Sequence, residues 1–167
     1  MRTTLIALAL LPALAGAAPH QHGVARLTVA IDGPRLTVGF ESPLDGLLGF
    51  ERAPRTDAEK KAAADVLARL KAADRLLKPD AAAGCRLVSS QVTAPVLEPG
   101  ARHAGEHADL DAEFAFDCAQ PASLRTLDVG LFEAFGRLQR IDVEVAGPRG
   151  QSKLTLRKPA RAVPLAR

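Results

Sequence analysis

Aromatic residues are scarce in this sequence. It contains no tryptophan and no tyrosine, and phenylalanine occurs six times in 167 residues. Proteins that bind single-stranded nucleic acid need aromatic side chains on which bases can stack, set in a strongly basic surface. Here 22 basic and 19 acidic residues nearly cancel, which leaves a formal charge of +3. The sequence therefore predicts no nucleic-acid partner.

The catalytic motifs that depend on short fixed spacing are absent as well. The chain has no G-x-S-x-G nucleophile turn and no glycine-rich loop of the kind that cradles phosphate. This absence favours a protein that is not an enzyme.

Charge is missing from residues 5–14, an apolar run that follows Arg2. The small residues Ala15, Gly16 and Ala17 come next, so the segment has the three parts of a secretory signal peptide and is too short to span a membrane. We expect residues 1–17 to be removed after Ala17 and residues 18–167 to form a single periplasmic domain with no transmembrane segment. The alternative is an apolar helix at the N-terminus of the core.

Cysteine occurs only twice, at Cys85 and Cys118. In an exported protein two cysteines are expected to join, because the compartment is oxidising. The alternative is a pair of buried thiols or metal ligands, but cysteines 33 positions apart lack the close spacing of zinc–thiolate motifs. The sequence therefore predicts a disulfide.

Strand and helix patterns alternate along the chain. Hairpins are predicted for residues 24–40 and 139–157, and strands for residues 85–96 and 108–118, where apolar and polar residues alternate. Thr56 and Glu59 form a capping box at the start of a helical pattern that Pro79 ends, a length of about five to six turns. The predicted fold class is α+β: a largely antiparallel sheet with one long amphipathic helix packed against it.

The basic residues near the C-terminus have no acidic residue among them. We interpret this segment as a solvated edge strand and tail, the alternative being contact with an anionic surface. Its basic residues are Arg149, Lys153, Arg157, Lys158, Arg161 and Arg167.

The four histidines fall into two clusters, His20 with His22 and His103 with His107. In an extended segment, residues two apart project to the same side, so the first pair can offer two rings to one ion. The other cluster opens the strand that carries Asp109, and imidazole with carboxylate is a ligand set that suits zinc. The alternatives are a solvated N-terminus and a polar strand end.

A zinc hydrolase is a further alternative, because residues 103–107 have the order H-x-x-E-H with Glu106 as the general base. That chemistry needs a helix around the motif. Glycines at 100 and 105 and the strand pattern after position 107 disfavour a helix here.

Several short segments, in this order, resemble the ZrgA family of proteobacterial periplasmic proteins encoded with zinc-uptake genes. They are H-Q-H-G at 20–23, L-D-G-L-L-G-F-E-R-A-P at 44–54, G-C at 84–85, H-A-D at 107–109, F-D-C at 116–118 and L-F-E-A-F at 131–135. The resemblance implies a zinc-binding accessory protein in which His20, His22, His107 and Asp109 are ligands. It also implies that Glu51 is a ligand or orients an imidazole.

The sequence departs from the family pattern in two places. Members often have a long histidine-rich insertion, of which this chain keeps only His103 and His107, and they commonly have histidine where this chain has Arg52. Both departures favour one metal site over high-capacity storage. The resulting hypothesis is a non-enzymatic periplasmic protein that binds Zn²⁺ and works with a zinc transporter of the cell envelope. Its rival is an interaction module in which the histidines are incidental.

Overall fold

The computed structural model describes residues 22–98 and 108–165, and the predicted signal peptide lies outside this part of the chain. Within these ranges there are three α-helices, α1 (Leu44–Leu48), α2 (Asp57–Lys71) and α3 (Leu131–Ala134). The same residues form nine strands, β1 (Val24–Asp32), β2 (Arg35–Pro43), β3 (Leu77–Pro79), β4 (Cys85–Thr93), β5 (Asp109–Cys118), β6 (Thr126–Val129), β7 (Arg140–Gly147), β8 (Gly150–Arg157) and β9 (Ala162–Pro164).

Six of these strands form one large sheet in the order β4-β5-β2-β1-β7-β8. All neighbours in it are antiparallel except β1 and β7, which run parallel. The predicted hairpins, β1–β2 and β7–β8, are therefore joined through their first strands. The remaining strands form a small sheet in the order β3-β6-β9.

Alternation along the strands explains which face is buried. In β5, Leu110, Phe114 and Phe116 are buried, whereas Asp111 and Glu113 on the opposite face are exposed. This confirms the predicted apolar face of the strand, since successive side chains of a strand point to opposite sides. Residues of the small sheet, Leu77 and Leu127 among them, belong to the same buried cluster, so both sheets contribute to one core.

The predicted fold class is wrong. Strands account for 47% of the described residues, and the helices are short, so the fold is mostly β and has no long amphipathic helix packed on the sheet. Helix α2 begins at the predicted capping box of Thr56 and Glu59, but it ends at Lys71. Among the described residues no helix is long and apolar enough to cross a membrane.

The error in helix length has a physical cause at Leu77. This residue continues the helical spacing of apolar side chains, yet it lies in β3 opposite Val129 of β6. A short 3₁₀ turn over Ala73–Arg75 separates it from α2. Leu77 is fully buried in the small sheet. Its apolar side chain therefore reaches the core without a longer helix.

Cys85 and Cys118 form a disulfide, as predicted. They are directly opposite each other at one end of the β4–β5 ladder, and together they close a loop with a sequence separation of 33 residues. The bond therefore ties the edge strand β4 to the interior of the sheet.

Replacing Cys85 and Cys118 together by alanine should lower the free energy of unfolding by about 3 to 4 kcal/mol, because the unfolded chain regains the entropy of the open loop. Urea unfolding followed by circular dichroism measures this difference. A reducing agent should shift the wild-type midpoint in the same direction and leave the double variant unchanged. Equal midpoints for the oxidised wild type and the variant would contradict the prediction.

Candidate metal-binding site

Several chain segments that carry candidate ligands meet at one end of the large sheet. Strands β1, β5 and β7 begin there and β2 ends there, as the pairing of Val24 with Arg140 and of Pro43 with Asp109 shows. We call this the histidine end. At the opposite end, here called the disulfide end, lie Cys118 and the turns of both hairpins.

His22 makes a side-chain contact with Asp45 at the histidine end. Its Nδ1 atom lies 3.0 Å from Oδ2 of Asp45, the second residue of α1. The His22 side chain is 77% exposed and that of Asp45 is 30% exposed. The carboxylate is therefore held against the protein while most of the imidazole faces solvent.

The backbone beside His22 is fixed by its neighbours. Gly23 has a φ of 71°, a left-handed conformation that favours glycine, and a Cβ atom there would lie 3.1 Å from the carbonyl oxygen of Arg137. The carbonyl oxygen of Gly23 accepts hydrogen bonds from the backbone N–H groups of Gln139 at 2.8 Å and Arg140 at 3.1 Å. Although the ring of His22 is exposed, the chain leading into β1 is thus attached to the start of β7.

Asp45 is positioned by the packing of α1. Leu44 and Leu47 on either side of it are buried in the core. The helix is capped by the next residue, Gly49, which has a φ of 85° and donates its N–H to the carbonyl oxygen of Asp45 at 2.9 Å. A side chain at Gly49 would also collide with the guanidinium of Arg137. The carboxylate of Asp45 therefore projects from a helical turn that is packed against the core and capped by Gly49.

The start of β5 lies beside the same turn. The N–H of Leu44 donates to the carbonyl oxygen of Ala108 at 2.9 Å, one step beyond the last paired residues of β2 and β5. Asp109, the first residue of β5, is half-buried and lies opposite Pro43. The sheet thus places Asp109 opposite Pro43, the residue directly before the helix that carries Asp45.

Residues 19–165, which are 147 of the 167 residues in the chain, match the family described as ZrgA family zinc uptake protein. The chain belongs to the ZrgA family. This confirms the resemblance seen in the sequence and relates the protein to zinc uptake. No curated protein matches the chain.

The structure describes only some of the ligands predicted for this ZrgA protein. His22, Asp109 and Glu51 are described, whereas His20, His103 and His107 lie outside the described residues, as does the H-x-x-E-H motif with Glu106. Within residues 22–98 and 108–165, no three histidine, cysteine, aspartate or glutamate side chains are grouped closely enough to hold a metal ion.

Sequence reasoning missed Asp45. It lies within the segment at 44–54 that carries the family resemblance, but the resemblance implies a role at the metal site only for Glu51 in that segment. The one available signal was a single carboxylate in an apolar, glycine-rich stretch. Its pairing with His22, 23 residues away, depends on the tertiary fold.

Glu51 lies half-buried in the loop between α1 and α2. The next residue, Arg52, attaches this loop to α2. Arg52 donates two hydrogen bonds to Glu59, at 2.6 and 3.1 Å, and its guanidinium lies 5.0 Å from the ring centroid of Phe50. Arg52 thus anchors the loop to α2.

Glu59 carries the opposite charge in this contact. The hydrogen bond from Arg52, followed by those from the backbone N–H groups of Arg55 and Thr56, lowers the pKa of Glu59 from 4.5 to about 2. Since the pKa is depressed in the folded state, the stabilisation is complete above pH 4.5 and is lost as the pH falls towards 2.

The variant Glu59→Gln should melt at a lower temperature than the wild type at pH 7, because it loses the charged contact with Arg52. The difference should shrink as the pH is lowered from 4.5 to about 2, where the wild-type carboxylate becomes protonated. Thermal unfolding across this pH range measures the effect. Asp65→Asn, which removes an exposed ion pair with Lys61 within α2, is the control and should change stability little. A difference for Glu59→Gln that stays constant with pH would contradict the assignment.

Proposed function

We propose that this ZrgA-family protein is a non-enzymatic periplasmic protein that binds Zn²⁺ at the histidine end of its large sheet and holds the ion for uptake. The family relates the chain to zinc uptake. The pairing of His22 with Asp45 is the observation that carries the proposed site.

The His22–Asp45 contact has the geometry of an oriented zinc ligand. Metal-binding histidines usually donate the N–H of one ring nitrogen to a carboxylate, which fixes the ring and leaves the other nitrogen to bind the ion. With Nδ1–H donated to Asp45, the Nε2 lone pair of His22 is free for Zn²⁺. Because the ring is 77% exposed, an ion can reach it from solvent.

The remaining ligands are proposed from the sequence. His20 lies two positions before His22, and His107 directly precedes Ala108, whose carbonyl oxygen is bonded to Leu44. In sequence, His20 comes before β1 and His107 before β5, and both strands begin at the histidine end. Asp109 is the first residue of β5. Three imidazoles, or two with a carboxylate, complete a tetrahedral zinc set with water. Glu51 and His103 are proposed as further members of the site, either as ligands or as neighbours of the ligands.

The proposal also includes a periplasmic location and a zinc transporter as partner. A disulfide is expected to persist outside the reducing cytosol, so the Cys85–Cys118 bond supports export by the predicted signal peptide. An ion held by exposed side chains can be passed on without unfolding of the protein. We assign a zinc transporter of the cell envelope as the partner that receives it.

In titration calorimetry of residues 18–167 with Zn²⁺, the variant Asp45→Asn should bind about 10 to 100 times more weakly than the wild type, as expected when a carboxylate that orients a ligand is lost. His22→Ala should weaken binding at least as much. Asp117→Asn is the matched control, because Asp117 lies on β5 at the disulfide end, where it pairs with Arg35 at 2.9 Å.

Unchanged zinc affinity in both His22→Ala and Asp45→Asn would contradict the proposed site. No heat and no proton release with the wild type at neutral pH would contradict zinc binding altogether. If Asp117→Asn weakened zinc binding as much as Asp45→Asn, the loss of affinity would come from the change in the protein's net charge and not from a site at the histidine end.

Zinc affinity should fall by at least about tenfold between pH 7 and pH 5, because imidazole must be neutral to bind a metal. Zinc titrations at a series of pH values measure how steeply the affinity depends on pH. This dependence should be weaker in His22→Ala, which has one imidazole fewer to deprotonate. An affinity that stays constant over this range would show that carboxylates alone hold the ion.

A further inference from the structure

Strand β8 forms an open, regular edge of the large sheet. All eight of its residues pair with β7, from Gly150 opposite Gly147 to Arg157 opposite Arg140, without a bulge. No strand of the described chain lies on its other side. The edge is therefore eight residues long and continuous.

The hairpin turn decides which backbone groups face outward. Gly147 and Gly150 flank a two-residue turn, so Gly150, Ser152 and alternate residues after them exchange hydrogen bonds with β7. Gln151, Lys153 and Thr155 then direct their N–H and C=O groups away from the sheet. The carbonyl oxygen of Arg157, next in this series, indeed accepts from Ala160 outside the sheet at 2.7 Å. Within the described ranges, no other backbone hydrogen bond reaches the outer side of β8.

The other sheet edges are less suited to accept a further strand. Strand β4 at the opposite edge has a bulge between Leu87 and Ser89, and α2 packs against it, with the Ser90 hydroxyl 3.5 Å from the carbonyl oxygen of Leu70. Bulges interrupt a regular ladder. The edge strands of the small sheet, β3 and β9, are three residues long. Strand β8 is therefore the edge with the longest uninterrupted ladder.

An apolar groove adjoins the start of β8 at the disulfide end. It has a volume of about 350 Å³. Its apolar lining comes from the hairpins of the large sheet, from the loop between β5 and β6 and from the C-terminal segment. The lining includes Ile31, Val145, Leu124, Pro164 and Leu165. The buried side chain of Val145 places the groove on the core side of the sheet, where an added strand would direct every second side chain.

Charge along the edge is positive and partly uncompensated. Lys153 is engaged by Glu144 across the ladder at 2.7 Å. Arg149 before the strand and Arg157 at its end are exposed, and neither has an ion-pair partner within the described residues. A second copy of β8 would bring like charges together, whereas an acidic strand would complement them.

We propose that β8 and the adjoining groove form a docking site for an extended acidic segment of a partner protein. The segment adds to the sheet as a seventh strand through the outward groups of Gln151, Lys153 and Thr155 and places an apolar side chain in the groove. Main-chain hydrogen bonds provide affinity in this mode of recognition, and alternate side chains provide specificity. The proposal does not rest on zinc binding, and the groove lies at the disulfide end, away from the proposed metal site.

The probe is a fluorescein-labelled peptide of sequence Leu-Glu-Val-Glu-Val-Glu-Leu, which reads the same in both directions and so fits either strand orientation. Its binding to residues 18–167 is measured by fluorescence anisotropy. We expect saturable binding that weakens at least tenfold when alternate peptide amides are N-methylated, when glutamates are replaced by lysines, or when both leucines are replaced by alanines. Added salt should also weaken it.

Thr155→Pro tests the edge from the side of the protein, because it removes an outward N–H. The matched control is Thr155→Val, which keeps this N–H but, like the proline variant, loses the hydroxyl bond to Asp142 at 2.9 Å. Only the proline variant should lose binding at least tenfold. If it fails to fold, as judged by its melting temperature, the N-methylated peptide decides the question without a variant.

Three results would overturn the proposal. The first is no binding of the acidic peptide, or equal binding of its lysine and N-methylated forms. The second is an equal loss of binding in folded Thr155→Val and Thr155→Pro. The third is a dimer in sedimentation experiments that Thr155→Pro dissociates, which would make a second copy of this chain the occupant.

Discussion

The antiparallel ladder between β2 and β5 determines most of the geometry of this protein. It extends from Arg35 opposite Asp117 to Pro43 opposite Asp109, and the Leu44–Ala108 hydrogen bond continues it by one step. Two segments more than 60 residues apart in sequence are thereby held side by side at the histidine end. The same ladder places Cys118 at the other end, where the edge strand β4 is joined to it. A shift of one residue in this register would turn the buried face of β5 outward.

The local structure could largely be predicted from the sequence, because it depends on local chemistry. Alternation defined both hairpins and the buried face of β5, and the capping box of Thr56 and Glu59 marked the start of α2. The end of α2 could not be predicted, because Leu77 satisfies a helical pattern and a strand pairing equally well and only the position of β6 decides between them. The parallel pairing of β1 with β7 is equally invisible in a local pattern. Because of these tertiary contacts, the fold is mostly β and not α+β as the sequence predicted.

In the candidate site, too, some features could be predicted from the sequence and others depend on tertiary contacts. The sequence identified His22 and Asp109 as residues of interest from their types and spacing, but it did not identify Asp45, whose role arises only when α1 packs beside the start of β1. Arg52 was recognised as a departure from the family pattern. Its contact with Glu59 shows what the arginine does in this chain, which is to fasten the loop after α1 to the next helix. Sequence thus indicated candidate groups, and folding determined which of them meet.

The position of the disulfide has a consequence for the proposed zinc binding. Asp109 and Cys118 occupy the two ends of β5, which at the usual rise per residue are about 30 Å apart. Thiolates bind zinc strongly, so two reduced cysteines near the histidines would capture the ion in a partly folded chain. In the proposed function, oxidation of the cysteines and loading with metal would take place at opposite ends of the sheet. The two processes would therefore not compete for the same atoms.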